Sequence, residues 1–146
     1  MKNESLQSMK RIKLDGMAAA YEAVLSLPVN QQPPAHEMIA RLIDAEAQHR
    51  KHRRTELFLR LSKLRYQATL TDVQCSESRN LQPEQLALLA DGAYIDRGEN
   101  ILLTGATGCG KSFLACALGH QACVQGYRTL YFNLNRLTEQ IAIARA

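Results

Sequence analysis

Apolar residues recur at helical spacing through most of the N-terminal part of the chain. The Ala-rich stretch from Met17 to Leu27 carries Tyr21, Val24 and Leu25 at that spacing and predicts a helix. A shorter helix is predicted over Glu4 to Ile12, ended by a turn at Lys13-Leu14-Asp15-Gly16. Pro28 closes the Ala-rich helix. The stretch from Pro28 to Pro34 reads as a linker, because proline breaks helix and strand pairing alike. From Ala35 to about Arg65 the pattern is one long helix without Gly or Pro. Met38, Ile39, Leu42, Ile43 and Glu46 mark its first half, and Leu57, Phe58, Leu61 and Leu64 its second. Its acidic residues Glu37, Asp44 and Glu46 lie toward the start and its basic residues toward the end, the order a helix dipole favours.

The pattern then changes. Tyr66 to Leu81 is polar and irregular. Pro83 suits the first turn of a short helix through Leu89, stopped at Gly92. Arg97 to Asn100 reads as a turn. Ile101-Leu102-Leu103 is a short apolar run, expected to be a buried parallel strand. A Gly-rich loop follows, then a helix from about Lys111 to Gln125. Phe113, Leu114, Ala117, Leu118 and Ala122 line its buried side, and Gly126 ends it. Arg128 to Leu134 reads as a second strand, and another helix begins at Leu137. Strand, loop, helix, strand and helix in this order predict an α/β fold, the start of a doubly wound parallel sheet. The expected organisation is a helical region over 1–75 and a sheet-containing region over 76–146.

Composition adds a bound. Of 146 residues, 46% are hydrophobic and 22% charged, a globular rather than a disordered mix. The net charge of +4 is mild, but its placement is uneven. Between His49 and Arg65 lie Arg50, Lys51, Arg53, Arg54, Arg60, Lys63 and Arg65, against Glu56 alone. The rest of the chain is slightly negative. The excess positive charge therefore sits in one block, which suggests contact with a polyanion.

Cys75, Cys109, Cys116 and Cys123 form no CxxC pair and have no His at zinc-like spacing. Cys116 and Cys123 share one helix face and are expected to be buried free thiols. The N-terminus has no apolar core of the kind a signal peptide needs. No segment has the run of roughly 18 apolar residues that spans a bilayer. A reducing cytoplasm fits these features, and no membrane contact is expected.

The sharpest signal is Gly105-Ala106-Thr107-Gly108-Cys109-Gly110-Lys111-Ser112, which matches G-x-x-x-x-G-K-[ST] without a gap. Each fixed position has a physical reason. Glycines let the backbone wrap closely around phosphate with its amides pointing inward. Lys111 brings a positive charge to the β- and γ-phosphates, and Ser112 offers a hydroxyl to magnesium. The helix opening at Lys111 directs its partial positive end at the same anion. The expected ligand is a nucleoside triphosphate with Mg2+, held by these eight residues and Phe113. Function does not need a thiol at Cys109, so a redox role there is not expected.

The basic block has two readings on composition alone, a nucleic-acid backbone contact or a solvated helix face. Only Phe58 and Tyr66 interleave it with rings, so stacking on single strands is weakly supported. His49 and His52 have no further ligand beside them and read as part of the basic face.

The stretch from Glu99 through Ala146 resembles the IstB-like ATPases, the AAA+ helper proteins of certain bacterial insertion sequences. Leu114-Ala-Cys-Ala-Leu-Gly119 and the helix start at Arg136-Leu137 make this more specific than the loop alone. His49 to Leu57, Lys63 to Tyr66, Thr69 to Asp72 and Leu14 to Ala18 extend the resemblance over nearly the whole chain. It implies an AAA+ core with ATP as ligand. It also implies assembly on double-stranded DNA, stimulation of the transposase of the same element, and a homo-oligomer at full length. It makes DNA contact the expected role of Arg50, Lys51, Arg53, Arg54, Arg60, Lys63 and Arg65. The family is also similar to the DnaC helicase loaders. A helicase loader and a non-catalytic DNA- or partner-binding module stay open as alternatives.

An AAA+ site needs an acidic pair at a strand end, a polar sensor and an arginine finger. After Lys111 the only acidic residue is Glu139, in a helical pattern. The chain therefore reads as the N-terminal part of such a protein. Lys111 is the one candidate catalytic residue, and ATP hydrolysis by this chain alone is not expected.

Overall fold

A computed structural model describes residues 2–145. The described residues form seven α-helices: α1 (Lys2–Arg11), α2 (Asp15–Leu25), α3 (Ala35–Ser62), α4 (Pro83–Asp91), α5 (Ala93–Asp96), α6 (Lys111–Gln125) and α7 (Leu134–Arg145). Short 3-10 turns occupy Val29–Gln31, Leu70–Asp72 and Glu77–Arg79. Two compact units result, Met1–Arg54 and Thr55–Ala146. α3 contributes its residues through Arg54 to the first unit and its last turns to the second.

The first unit is built on packing of α1 with α2 and of α2 with α3. Ala18, Val24 and Leu42 are its buried apolar residues. The crossing of α2 and α3 is close because Gly16 lies against the turn Ala45–His49. Glu46 is also buried there. Its carboxylate accepts the Met17 backbone amide at 3.1 Å and the Arg50 Nε at 2.7 Å. A side chain of α3 thus supplies the start of α2 with an acceptor that its own N-cap, Leu14, lacks. The linker prolines leave room only for a single 3-10 turn, as the sequence pattern expects.

The second unit is centred on α6. Cys116, Ala117, Leu118, Ala122 and Cys123 are buried along it, which bears out the two buried thiols. Ala68, Leu64, Leu70, Val73, Phe113 and Tyr131 pack around this core. Small residues on α6 permit the close approach: Gly119 faces Leu64 and Thr129. The end of α4 is tied to α6 by Gln125, whose Nε2 donates to the carbonyls of Ala90 and Asp91 at 2.9 and 3.0 Å. Tyr127 donates to Asp96 at the end of α5.

The expected α/β fold is not found. The doubly wound parallel sheet is absent: among the described residues there is no strand and no sheet, only an isolated bridge between Ser76 and Leu81. The two runs expected as strands, Ile101 to Leu103 and Arg128 to Leu134, are instead irregular chain up to the start of α7 at Leu134, with exposure that mostly alternates. Ile101, Leu103, Thr129 and Tyr131 are partly covered, while Leu102 and Leu130 are 86% and 63% exposed. Residues of both segments line an apolar groove of about 430 Å³ over α6, and no backbone hydrogen bond between the two segments is found among the described residues. The Tyr131 amide instead donates to the Ser62 carbonyl at 2.8 Å, at the end of α3. An apolar run specifies a covered face, but a strand also requires a neighbouring strand.

Candidate phosphate-binding site

The loop from Gly105 to Gly110 is exposed and leads directly into α6. Gly108 and Gly110 have φ of +83° and +87°, a left-handed backbone that other residues rarely adopt. Gly110 is the N-cap of α6 and provides no side-chain cap, and no acidic residue lies in the first turn. The first amides of α6 therefore have no intrahelical acceptor and no competing carboxylate from that turn. Such a helix end favours an anion.

Lys111 closes the loop on itself. Its Nζ donates to the Gly105 carbonyl at 2.9 Å and to the Ala106 carbonyl at 2.6 Å, and lies 3.7 Å from the Cys109 Sγ. The ammonium is thus held over the mouth of the loop. Ser112 is exposed on the first turn of α6, and Ala106, Thr107 and Cys109 are exposed in the loop. Phe113 turns inward. Its ring packs against the core and lies 6.2 Å from the Tyr66 ring. The structure thus gathers Gly105 through Ser112 at one helix end, with the Phe113 side chain used in packing beneath them.

The loop forms one wall of a groove of about 900 Å³. That is within the range of small-ligand sites. Residues 72–74 and 78–81 also line the groove and form a second wall. Asp72 and Thr69 fix this wall through a reciprocal capping box. The Thr69 amide and hydroxyl both donate to the Asp72 Oδ2, at 2.9 and 2.7 Å. These bonds hold the Asp72 carboxyl below its ordinary pKa. The wall had no assigned role in the sequence pattern. Its one legible signal is the Thr-x-x-Asp spacing of a capping box.

The basic residues fall in both units. In the first, Arg50 pairs with Glu46 at 2.7 Å and Arg53 approaches Asp15 at 3.8 Å. Lys51 and Arg54 are exposed and make no ion pair among the described residues. In the second, Arg60 is exposed at the end of α3, Lys63 has a φ of +54°, and the Arg65 guanidinium lies 5.2 Å from the Tyr66 ring centroid. Among the described residues, no helix is long and apolar enough to cross a membrane.

Comparison with known proteins gives a consistent family. The model of the IstB-like ATP binding protein family matches residues 7–146. The chain is 41% identical over 145 residues to the ATP-binding protein of insertion sequence IS1162 from Pseudomonas fluorescens, covering 99% of this chain and 63% of that protein. It is 36% identical over 141 residues to the insertion sequence ATP-binding protein y4pL of Sinorhizobium fredii, covering 97% of this chain and 58% of the relative. A third relative, the ATP-binding protein of insertion sequence IS21 from Pseudomonas aeruginosa, is 27% identical over 137 residues, covering 94% of this chain and 52% of its own length. The chain thus spans between about half and two thirds of the length of these relatives.

Proposed function

The chain belongs to the family of IstB-like ATP-binding proteins, and from that membership we propose that it binds ATP with Mg2+ and contacts double-stranded DNA as a helper of insertion-sequence transposition. The observation that carries this reading is the glycine loop at the uncapped end of α6, with the Lys111 ammonium held over it. The groove, the free helix amides and the lysine charge fit a triphosphate in size, polarity and sign. Ser112, exposed on the first turn of α6, is the residue that would hold magnesium. When bound, the metal neutralises phosphate charge. The chain's own part is to position the phosphates with loop amides and to offset their charge with Lys111.

The basic residues of both units are the proposed DNA contacts. The proposed setting is the cytoplasm, with the transposase of the same element as protein partner and self-association on DNA. The names of the relatives support the insertion-sequence context, and the basic block supports the polyanion.

The test is paired titration of ATP and of a duplex oligonucleotide with the purified chain. ATP binding that needs Lys111, and duplex binding that strengthens with ATP, are expected. Duplex binding with no ATP binding at any concentration would leave only a DNA module and sink the ATP reading. ATP binding without affinity for duplex would sink the DNA reading.

A further inference from the structure

The groove that the glycine loop lines contains a cation that the known motif does not use. Arg79 ends the 3-10 turn Glu77–Arg79, and it lines the groove that Gly105, Gly110 and Lys111 also line. Its turn is held from both sides. Asn80 follows in the left-handed conformation at a φ of +51°, and the Leu81 amide returns to the Ser76 carbonyl at 3.4 Å. The antiparallel bridge between Ser76 and Leu81 closes the same turn.

Asp72 is the acidic residue of the lining. Its Oδ2 accepts both the amide and the hydroxyl of Thr69, which orients the carboxylate toward Thr69 and keeps it charged. Arg79 makes no ion pair among the described residues and is exposed. Two cations against one carboxylate leave the lining of the groove with a net positive charge. Lys111 carries the other positive charge of the lining. Two cations lining one groove suit an extended polyanion better than a single phosphate, and a planar guanidinium suits phosphate oxygens in particular.

We propose that Arg79 is a second phosphate-contacting residue, acting in the same groove as Lys111 on the triphosphate chain of the nucleotide. This rests on the nucleotide reading of the glycine loop. The hairpin 76–81 then serves as a wall of the ligand site rather than as a passive connection to α4.

The experiment compares the unaltered chain with Arg79→Gln, Arg79→Lys and Arg79→Glu, using fluorescent ATP as probe and inorganic tripolyphosphate as competitor. Arg79→Gln is expected to weaken ATP on the order of tenfold, the scale of one charge-assisted contact. It should weaken tripolyphosphate by a similar factor. Arg79→Lys should retain part of the affinity, and Arg79→Glu should lose more than Arg79→Gln. Circular dichroism of each variant reports whether the helices are kept. If Arg79→Gln lost its helices, the comparison of Arg79→Lys with Arg79→Glu decides, and equal affinity in those two would overturn the proposal. Unchanged ATP affinity in Arg79→Gln would overturn it too. So would weaker ATP with unchanged tripolyphosphate, which would assign Arg79 to the base or sugar. Failure of the unaltered chain to bind either probe would instead defeat the reading of the glycine loop itself, and the proposal with it.

Discussion

The Glu46 carboxylate accepts the backbone amide of Met17 at 3.1 Å across 29 residues of sequence. This bond caps α2 from α3, and the Arg50 guanidinium braces the same carboxylate at 2.7 Å. Arg50 first, and then the Met17 amide, hold the Glu46 carboxyl below its ordinary value of 4.5.

A pH dependence follows from that depression. On acidification the unfolded chain takes up a proton at Glu46 before the folded chain does. The stabilisation is therefore fully present above the ordinary glutamate value and is lost as pH falls through the folded value. Thermal melts of the unaltered chain and Glu46→Gln, taken from about pH 7 down to about pH 3, should show a gap that narrows on acidification. A gap independent of pH would remove the charge of Glu46 from the account and leave only its shape.

Gly16 sets how closely α2 approaches α3. A Cβ at this position would lie 2.5 Å from the His49 Cβ and 2.6 Å from the Ala45 carbonyl oxygen. Neither neighbour is the far end of a flexible side chain, so the helices themselves would have to part. Gly16→Ala is expected to destabilise the chain by about 1–3 kcal/mol, the usual scale of overpacking. Ala19, exposed on the same helix, is the control site. Urea denaturation checks both, and equal midpoints for Gly16→Ala and Ala19→Ser would show that the crossing is looser than described.

Much of this was legible in local pattern. The long helix is found at Ala35–Ser62, the loop opens a helix at Lys111, and Gly126 ends that helix. Each of these depends on residues near in sequence: caps, breakers and a 3.6-residue period. The runs Ile101–Leu103 and Arg128–Leu134 misled for a different reason. An apolar run marks a covered segment, but pairing is a property of two segments, and these two have no strand partner among the described residues. The Glu46–Met17 bond and the Asp72 wall were hidden because they join distant positions, or because a capping-box spacing was present without a helix pattern after it. The glycine loop stood out as a pattern because its spacing lies within eight consecutive residues.

Lys111 is the sharpest point of attack on that loop. Its Nζ bridges the Gly105 and Ala106 carbonyls and carries the charge proposed to face the phosphates. Lys111→Ala removes both, so ATP affinity is expected to fall at least about tenfold, the loss of one charged contact or more. Isothermal titration would measure it. Retained affinity in Lys111→Ala would mean that the helix end alone binds the anion.

The basic residues of the first unit divide by their partners, and the division gives a quantitative expectation. Arg50 and Arg53 have carboxylates at 2.7 and 3.8 Å, whereas Lys51 and Arg54 make no ion pair among the described residues. A phosphate contacting Arg50 must compete with Glu46, which also needs Arg50 to brace its bond to α2. Lys51 and Arg54 release counterions without that competition. If duplex DNA is the polyanion, each phosphate contact contributes about 0.9 to the slope of log K against log salt. Replacing Lys51 and Arg54 together with Ala should therefore reduce the slope by up to about 2, with little loss of thermal stability. Arg50→Ala should show the opposite balance, a clear loss of stability with a smaller change of slope. Salt titrations by fluorescence anisotropy, paired with thermal melts, would separate the two groups. An unchanged slope for the Lys51 and Arg54 replacement would make this face merely solvated.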